Sequence, residues 1–379
     1  MKKLLCILLA VIMIAVISAP CAAEPEDTLG VSCPSAVLMH PSGKVLYEKN
    51  SHERLAPASV TKVMTLLLVM EALEAGQISL EEPVTGSAHA SSMGGSQIWL
   101  EAGEQLTVDE MIKCVVVVSA NDCSVALAEH IAGTEEAFVA RMNERAVELG
   151  MNDTHFVNCC GLDAEGHLTT AYDIALMSAE LLKHEKIKDY TLIWQDSIRG
   201  GSSLLTNTNK LVKTYEGITG LKTGSTSTAG FCLSASAERD GLELIAVVMK
   251  GETSAKRNAD VTAMLNYGFA TFASAELTSD RPIMPVPVEL GKISEVACEL
   301  QHTDPIVIEK YLLGSLEKEI VLAESLTAPV QKGDTAGEMR VRSQGEVILT
   351  VPIVTAAEVE RIGLLDIFSA LMRAACMKK

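Results

Sequence analysis

The chain has 379 residues, of which 48% are hydrophobic and only 4% are aromatic. This length suits two domains with a large core, and the composition excludes a disordered or fibrous protein. The formal net charge of −18 argues against a nucleic-acid partner and against a polybasic membrane-binding surface. A neutral or anionic small substrate stays compatible with this charge, because such a substrate responds to the local site.

The start of the chain has the pattern of a secretory signal peptide. Lys2 and Lys3 are followed by an apolar run over residues 4–17, and the Cys-Ala-Ala triplet at 21–23 places small side chains before a cleavage point. We therefore expect residues 1–23 to be removed and the protein to act on the outer face of the cytoplasmic membrane. The alternative is an uncleaved anchor, although the apolar run is short for a bilayer span.

Eight of the ten cysteines follow the predicted signal peptide, at irregular spacing. The sequence contains no C-x-x-C pair of the kind used for zinc binding or redox chemistry, so neither a metal site nor a disulfide pairing is predicted. We expect most of these cysteines to be buried as small hydrophobic side chains.

The first part of the chain predicts a hairpin followed by a helical block. Residues 35–48 hold two extended runs around a Pro-Ser-Gly turn, and residues 63–75 are apolar nearly all round, as in a fully buried helix. Thr107 and Glu110 form a capping box for the next helix. The four valines at 115–118 favour a strand by propensity, so this stretch stays open between helix and strand.

Three more predicted helices complete the helical block. Asn-Asp at 121–122 is expected to cap a helix that ends at Gly133, and a second apolar stripe ends at Gly150. Thr170 and Asp173 resemble a capping box for a third helix.

The pattern changes to strands after residue 217. Residues 220–223, 230–237 and 242–250 are extended runs, the last two joined by an Asp-Gly turn, and residues 259–272 then predict a helix. Two hairpin segments that flank a helical block are typical of an α+β domain.

The last hundred residues predict a different domain. Prolines punctuate the segment from about residue 274, and short alternating runs recur at 306–308, 320–323 and 347–354. This pattern indicates a small all-β domain that ends near residue 355.

The C-terminal segment, residues 359–377, is a candidate amphipathic helix. Its apolar residues fall within about a third of the helical wheel, among them Leu364, Leu365, Phe368 and Leu371. Such a helix lies in a membrane interface, and we favour this interpretation because the helix is terminal. The alternative is that it packs on the protein's own surface.

Three short polar motifs occur in chain order. They are Ser59-Val60-Thr61-Lys62 in the predicted buried helix, Ser119-Ala120-Asn121 after the valines, and Lys222-Thr223-Gly224 on a predicted strand. Ser59 and Lys62 are three residues apart, so they share one face of a helix and the lysine amine can reach the serine hydroxyl. A serine needs such a base to act as a nucleophile, and a lysine serves as the base when a dry site lowers its pKa.

The other two motifs supply the remaining groups that acyl transfer to a serine requires. Ser119 offers a hydroxyl that can relay a proton, and Asn121 offers an amide that can hold a lysine or a substrate carbonyl. Lys222 can bind a substrate carboxylate, and the missing side chain of Gly224 lets a peptide lie against the strand.

Each motif is weak alone, but the ordered set is the signature of penicillin-binding proteins and serine β-lactamases. The chain resembles the low-molecular-mass penicillin-binding proteins of the peptidase S11 family, which are D-alanyl-D-alanine carboxypeptidases. The stretches that carry this resemblance are residues 55–62, 119–122 and 217–224, with weaker likeness at 161–173.

The resemblance implies an α+β, β-lactamase/transpeptidase-like catalytic domain, with an antiparallel sheet and a helical block, over residues 24–273. A small β-rich domain over 274–355 and a membrane-associating helix over 356–379 follow the family's layout more loosely.

The resemblance also implies a mechanism. Ser59 would attack the carbonyl of the penultimate D-Ala of a peptidoglycan stem pentapeptide, with Lys62 as the proton acceptor. Ser119 and Asn121 would help to pass the proton to the leaving D-Ala, and water would hydrolyse the acyl-enzyme. β-Lactams would acylate the same serine as covalent inhibitors, and no cofactor or metal is implied.

The third motif and Ser225, the residue that follows it, would bind the substrate. Lys222 and Thr223 would hold the terminal carboxylate, and Gly224 would let the peptide backbone approach. The backbone N–H groups of Ser59 and Ser225 would form the oxyanion hole. Ser225 stands where some family members have histidine, so its role rests on the backbone only.

Three other polar residues invite a catalytic interpretation. We interpret His167 and Asp173 as structural, since Lys62 already fills the role of the base. Glu165 suggests the deacylating glutamate of a class A β-lactamase, but the E-x-x-L-N context is missing.

Two competing functions remain open from the sequence. A serine β-lactamase would turn over benzylpenicillin rapidly, although the C-terminal domain is surplus to that activity. A penicillin-binding surface scaffold without turnover is the other alternative, and the intact motif set argues against it.

Overall fold

The computed structural model describes residues 29–279 and 281–376. The predicted signal peptide lies outside these residues. The described chain forms an α+β domain followed by a β-rich domain, as the sequence predicts.

The first domain contains nine strands and nine α-helices among the described residues. The strands are β1 (Ser35–Met39), β2 (Val45–Lys49), β3 (Pro83–Thr85), β4 (Gln105–Thr107), β5 (Gln195–Ile198), β6 (Ser203–Thr206), β7 (Ile218–Thr226), β8 (Gly230–Arg239) and β9 (Leu242–Gly251). The α-helices are α1 (Lys62–Glu74), α2 (Ala88–Ser91), α3 (Val108–Val117), α4 (Asn121–Ala132), α5 (Glu135–Glu148), α6 (Ala171–Leu182), α7 (Lys188–Thr191), α8 (Leu211–Thr214) and α9 (Ser254–Thr271). Short 3₁₀ turns lie at Ala58–Thr61, Glu185–Ile187 and Arg199–Gly201.

The central sheet is antiparallel, with the strand order β2-β1-β9-β8-β7. Alternate side chains of β1 enter two different cores, because successive residues of a strand point to opposite faces. Val37 and Met39 pack into the core that contains α1, whereas Ala36 and Leu38 pack into the core that contains α9. The sheet is therefore covered on both faces.

Helix α1 is buried nearly all round, which confirms the prediction for this segment. Nine of its 13 residues are buried, including the polar Lys62 and Thr65. Gly224 on β7 approaches the 3₁₀ turn that leads into α1, so the edge of the central sheet lies beside the start of this helix.

The structure settles the ambiguous valines as helical and corrects one predicted cap. The Thr107–Glu110 capping box is present with both of its hydrogen bonds, and it starts α3, which runs to Val117. The expected cap by Asn121 and Asp122 is wrong, because α4 has no side-chain cap. The Asn121 side chain instead bonds to residues outside the helix, and the Asp122 carboxylate accepts from Ile98 and Leu100 outside it as well as from the adjacent Cys123 N–H.

The predicted capping box at α6 is only half formed. The Thr170 side chain accepts a hydrogen bond from the Asp173 backbone N–H, as a cap should. The Asp173 carboxylate, however, accepts from Thr154 and from the backbone of Asp153. It therefore ties the helix to the preceding loop.

The second domain is built almost entirely from strands. They are β10 (Phe272–Ala275), β11 (Val286–Glu289), β12 (Glu295–Val296), β13 (Cys298–Leu300), β14 (Ile306–Glu309), β15 (Leu316–Leu322), β16 (Leu326–Thr327), β17 (Thr335–Ser343) and β18 (Glu346–Thr355), with a 3₁₀ segment at Lys310–Ser315. An antiparallel sheet in the order β13-β18-β17-β15 carries the main core of the domain, and β12-β11-β16 forms a smaller sheet.

The two domains are joined by hydrogen bonds as well as by the chain. Strand β10 follows α9 directly and pairs with β14 of the second domain. Lys44 in the first hairpin donates to the Val307 carbonyl, and Lys310 donates to the Phe269 carbonyl. These contacts fix the base of the β-rich domain against the catalytic domain.

The C-terminal helix, α10 (Leu364–Cys376), begins later than expected. The residues before it belong to the β-rich domain, because Val359 is buried and pairs with Val330, and Ile362 donates to the Leu290 carbonyl. Within residues 29–279 and 281–376, no helix is long and apolar enough to cross a membrane.

Candidate active site

Ser59 and Lys62 meet at the start of the buried helix. Ser59 is partly exposed in the 3₁₀ turn, whereas the Lys62 side chain is fully buried one turn later. The Lys62 Nζ atom lies 3.1 Å from Ser59 Oγ. The predicted pairing of a serine with a lysine on one helical face is therefore present.

Lys62 has two further partners, both of them carbonyl oxygens. Its Nζ lies 2.6 Å from Asn121 Oδ1 and 2.6 Å from the Cys160 backbone oxygen. Burial lowers the pKa of Lys62 to about 8, because the ammonium form has lost its water. A neutral amine has two N–H bonds, which these two carbonyls occupy, and its lone pair is then left for the Ser59 hydroxyl.

The loop over residues 158–162 holds the Cys160 carbonyl in place. Asn158 Oδ1 accepts from the backbone of Cys160, Gly161 and Leu162. Gly161 has φ +87°, and a Cβ there would lie 1.9 Å from the Ala58 oxygen, so the loop packs directly on the Ser59 turn. Motif reasoning missed this carbonyl, because a backbone acceptor leaves no mark in the sequence.

Asn121 is fixed from the opposite side by the loop at residues 94–100. Its Nδ2 donates to the Gly94 oxygen at 2.7 Å, which leaves Oδ1 to face Lys62. The neighbouring Asp122 is fully buried and accepts from the backbone of Ile98 and Leu100, each at 3.0 Å. The Asp122 carboxylate thus orients the loop at residues 94–100, and this loop orients the Asn121 amide.

Ser119 stands two residues before Asn121 in the bend between α3 and α4. It has φ +65°, an uncommon conformation for a residue other than glycine, and is 4% exposed. Its Oγ has no hydrogen-bond partner among the described residues. A buried hydroxyl without a partner is costly unless a ligand or a reacting group uses it.

The third motif forms the edge of the sheet beside Ser59. A Cβ on Gly224 would lie 2.9 Å from the Ser59 backbone nitrogen and 2.9 Å from the Pro57 oxygen. Only glycine allows β7 to approach this closely. Ser225 follows Gly224 on the strand and is exposed to solvent.

Lys222 is buried at the same edge. It is 1% exposed, and its Nζ donates to the Thr223 oxygen at 2.9 Å. Its pKa is lowered, first by burial and then by the positive charges of Lys62 and Arg257. An anion in this site would offset both effects.

Thr223 has a hydroxyl partner that motif reasoning missed. Its Oγ1 donates to Thr208 Oγ1 at 2.8 Å, and the Thr208 backbone donates to the Val117 carbonyl at the end of α3. The two hydroxyls therefore link the sheet edge to the helical block. Thr208 lies outside all three motifs, which is why its position gave no signal.

The structure places His167 and Asp173 in structural roles. His167 Nδ1 accepts from the Val157 backbone, so its Nε2–H faces Thr61 Oγ1 at 2.8 Å, and burial lowers its pKa to about 4. It is therefore a neutral ring that holds the back of the Ser59 turn. Glu165 is exposed and makes no hydrogen bond with Ser59 or Lys62 within the described chain.

Ser59, Lys62 and Asn121 thus meet beside the strand edge that carries Gly224, and Ser119 stands two residues before Asn121. A serine hydroxyl, a lysine of lowered pKa, a free buried hydroxyl and an amide stand on the helical side, with a second buried lysine on the sheet side. Within the described residues, no group of three His, Cys, Asp or Glu side chains is placed to hold a metal ion. The arrangement suits covalent acyl transfer from a substrate that carries a carboxylate.

Comparisons with known proteins agree with this chemistry. Residues 21–253 match the family model described as D-alanyl-D-alanine carboxypeptidase, and residues 276–361 match the C-terminal domain of penicillin-binding protein 5. The D-alanyl-D-alanine carboxypeptidase DacF of Bacillus subtilis is 42% identical over 98% of each chain.

Solved structures give the same result. Penicillin-binding protein 5 from Haemophilus influenzae superposes with a TM-score of 0.80 at 29% identity, over 89% of this chain and 99% of that one. Penicillin-binding protein D2 from Listeria monocytogenes, in its ampicillin-bound form, has a TM-score of 0.59 at 30% identity, over 64% of this chain and 99% of that one. The chain belongs to the peptidase S11 family of D-alanyl-D-alanine carboxypeptidases, which are hydrolases that act on peptidoglycan.

Proposed function

We propose that this carboxypeptidase removes the terminal D-Ala of stem pentapeptides through an acyl-enzyme on Ser59. The observation that carries the assignment is the set of three partners around the Lys62 amine. The two N–H bonds of the neutral amine point to carbonyl oxygens, so its lone pair faces the Ser59 hydroxyl. A lysine with a pKa of about 8 is partly neutral at physiological pH, so it can accept the serine proton.

The first half of the reaction forms the acyl-enzyme. The Ser59 oxygen bonds to the carbonyl carbon of the penultimate D-Ala as its proton passes to Lys62. The backbone N–H groups of Ser59 and Ser225 would stabilise the developing oxyanion, at about 3 kcal/mol for each donor. The C–N bond then breaks, and the proton returns through the Ser119 hydroxyl to the nitrogen of the leaving D-Ala.

The carboxylate of the substrate would bind at the sheet edge. Lys222 supplies a buried positive charge, and Thr223 together with Thr208 supplies hydroxyl groups beside it. Gly224 lets the peptide lie along β7 without a steric clash. Water then hydrolyses the ester, and β-lactams would acylate the same serine.

Intact-protein mass spectrometry after benzylpenicillin treatment tests this mechanism. The wild type should gain one penicilloyl adduct, whereas Ser59→Ala should gain none and should release no D-Ala from a pentapeptide analogue. Ser79→Ala, which changes an exposed serine away from the site, should behave as the wild type. An adduct of unchanged size on Ser59→Ala would end the assignment.

We also propose that the enzyme is exported and is held at the outer face of the membrane by α10. The basic and apolar start of the chain supports export. The exposed apolar side chains of α10, including Leu364, Leu365 and Phe368, support an interfacial position. Deleting residues 363–379 should release the protein from membranes while leaving the paired segment up to Ile362 intact. Unchanged membrane partitioning would contradict the proposal.

A further inference from the structure

The turn between β11 and β12 exposes two large apolar side chains. Leu290 is 52% exposed and Ile293 is 58% exposed. Leu290 also has φ +57°, a conformation that leucine rarely adopts. Single exposed apolar residues are common on protein surfaces, so exposure alone does not indicate a binding site. The informative observation is where this turn lies.

The turn is fixed beside the segment that leads into α10. The Ile362 backbone donates to the Leu290 oxygen at 2.8 Å, and the Lys292 backbone donates to the Glu360 oxygen at 2.9 Å. The side chains of Lys292 and Glu360 also form an ion pair. Because α10 begins at Leu364, only two residues after Ile362, the turn and the start of the helix are neighbours.

The start of α10 has a local cap. The Gly363 backbone donates to the Asp366 carboxylate at 2.9 Å, which closes the first turn of the helix. Leu364 and Leu365 are 86% and 82% exposed. Leu290 and Ile293 lie on the turn that is hydrogen-bonded to residues 360 and 362, so all four exposed side chains belong to one end of the domain, which we call the tip.

We infer that the turn Leu290–Ile293 is a second lipid-contacting element, which enters the interfacial region of a phospholipid bilayer beside α10. This inference rests on the proposed attachment through α10 and extends it to the folded domain. The position of the turn beside the exposed apolar residues of α10 argues for lipid as the occupant. Lys292, the one charged side chain within residues 290–293, is paired with Glu360, so the turn itself contributes mainly apolar contact.

A two-element contact has a consequence that a lone helix lacks. A terminal helix can pivot about its connection to the domain, whereas a turn within the folded domain cannot. Contact at both places would therefore set the orientation of the β-rich domain on the membrane. Through the β10–β14 pairing and the Lys44–Val307 contact, it would also orient the catalytic domain.

The test uses the chain from residue 24 and vesicles of phosphatidylglycerol and phosphatidylethanolamine. The variant is Leu290→Asn with Ile293→Thr, because asparagine tolerates positive φ and threonine keeps the branched shape. We expect the vesicle partition coefficient to fall about tenfold, with no loss of thermal stability. The control, Val147→Thr with Leu204→Asn, removes two exposed apolar groups from the catalytic domain and should bind as the wild type.

The deletion of residues 363–379 separates this inference from the proposal on which it rests. If the deletion abolishes binding while the turn variant binds as the wild type, the inference about Leu290 and Ile293 is overturned and attachment by α10 stands. If the deletion and the turn variant both bind as the wild type, attachment through the tip fails altogether. A change in oligomeric state of the turn variant, without a change in vesicle binding, would mark the turn as a protein contact and would also overturn the inference.

Discussion

The catalytic domain buries charge, whereas the β-rich domain does not. Lys62 and Lys222 are at most 1% exposed, and Asp122, Asp173 and Arg257 are also buried. Among the described residues of the β-rich domain, no charged side chain is buried. Removing an ammonium group from water is unfavourable, so the catalytic domain keeps its two lysines at a cost in stability that only a function explains.

The two regions also differ in where apolar side chains meet solvent. Five large apolar side chains are exposed in the described part of the catalytic domain, against thirteen from Met284 onward, although the second region is much shorter. The catalytic domain thus buries charged groups that usually face water, and the C-terminal region exposes apolar side chains that are usually buried. The buried lysines lie at the proposed substrate site, and eight of the thirteen exposed side chains belong to Leu290, Ile293 and α10, the proposed lipid contact.

Replacing the buried base should cause the largest loss of activity, with only a small change in stability. In Lys62→Met, acylation by benzylpenicillin should fall by about three orders of magnitude, because no group is left to accept the Ser59 proton. The free energy of unfolding should change by less than about 3 kcal/mol, because removing a buried ammonium is offset by the loss of its hydrogen bonds to Asn121 and Cys160. Rapid-quench acylation and urea unfolding measure the two effects.

The matched control for this variant is Lys332→Met, at an exposed lysine of the β-rich domain. It should leave both quantities unchanged. Acylation of Lys62→Met within tenfold of the wild-type rate would show that another group serves as the base.

The second buried lysine should affect substrate binding more than chemistry. In Lys222→Gln, KM for a peptide that ends in a free carboxylate should rise about fiftyfold, through loss of a charge-assisted hydrogen bond. A peptide that ends in an amide lacks that charge, so its kcat/KM should change little. Steady-state kinetics with the two peptides give the comparison. An equal loss on both peptides would assign Lys222 to folding or to proton transfer.

The pH dependence should show a smaller effect of about tenfold. With a pKa of about 8, the neutral fraction of Lys62 rises about tenfold from pH 7 to pH 9, and the acylation rate should follow it. In the unfolded chain the same lysine keeps its proton up to its ordinary pKa of 10.5. Between pH 8 and 10.5 the unfolded state therefore binds more protons than the folded state. The contribution of Lys62 to the free energy of unfolding should accordingly rise as the pH increases from about 8 to 10.5.

The pH profile of the Lys62→Met variant provides the check. Its residual acylation should lose the step near pH 8. A step of the same size in that variant would assign the titration to a different group.

Sequence reasoning reached the reactive and charged motif residues because each carries chemistry in its own side chain. The pairing of Ser59 with Lys62 follows from helical spacing, and the structure contains it at 3.1 Å. The two groups that sequence reasoning missed act differently. Cys160 acts through its backbone carbonyl, and Thr208 acts through the fold that brings it to Thr223. Neither effect depends on the local sequence pattern, so only the tertiary structure could reveal them.

The same reason explains the one wrong cap and the one segment that the sequence left open. Asn121 stands where a helix cap is common, but its amide is used by Lys62 and Gly94. The valines at 115–118 favour a strand, yet Val115, Val116 and Val117 complete a helix that the core covers. Tertiary contacts outweighed local preference in both cases.

A change in the core of the β-rich domain should have the smallest effect on catalysis. Met339 is fully buried in that core, opposite Val351 of β18, so Met339→Ala should cost about 2–4 kcal/mol of stability by leaving a cavity. Acylation by benzylpenicillin below the unfolding temperature should stay within twofold of the wild type, because every group around Ser59 comes from the other domain. Calorimetry and acylation kinetics measure the two quantities. A proportional fall in acylation would mean that the β10–β14 pairing transmits strain to the cleft, and the two regions would then have to be treated as one energetic unit.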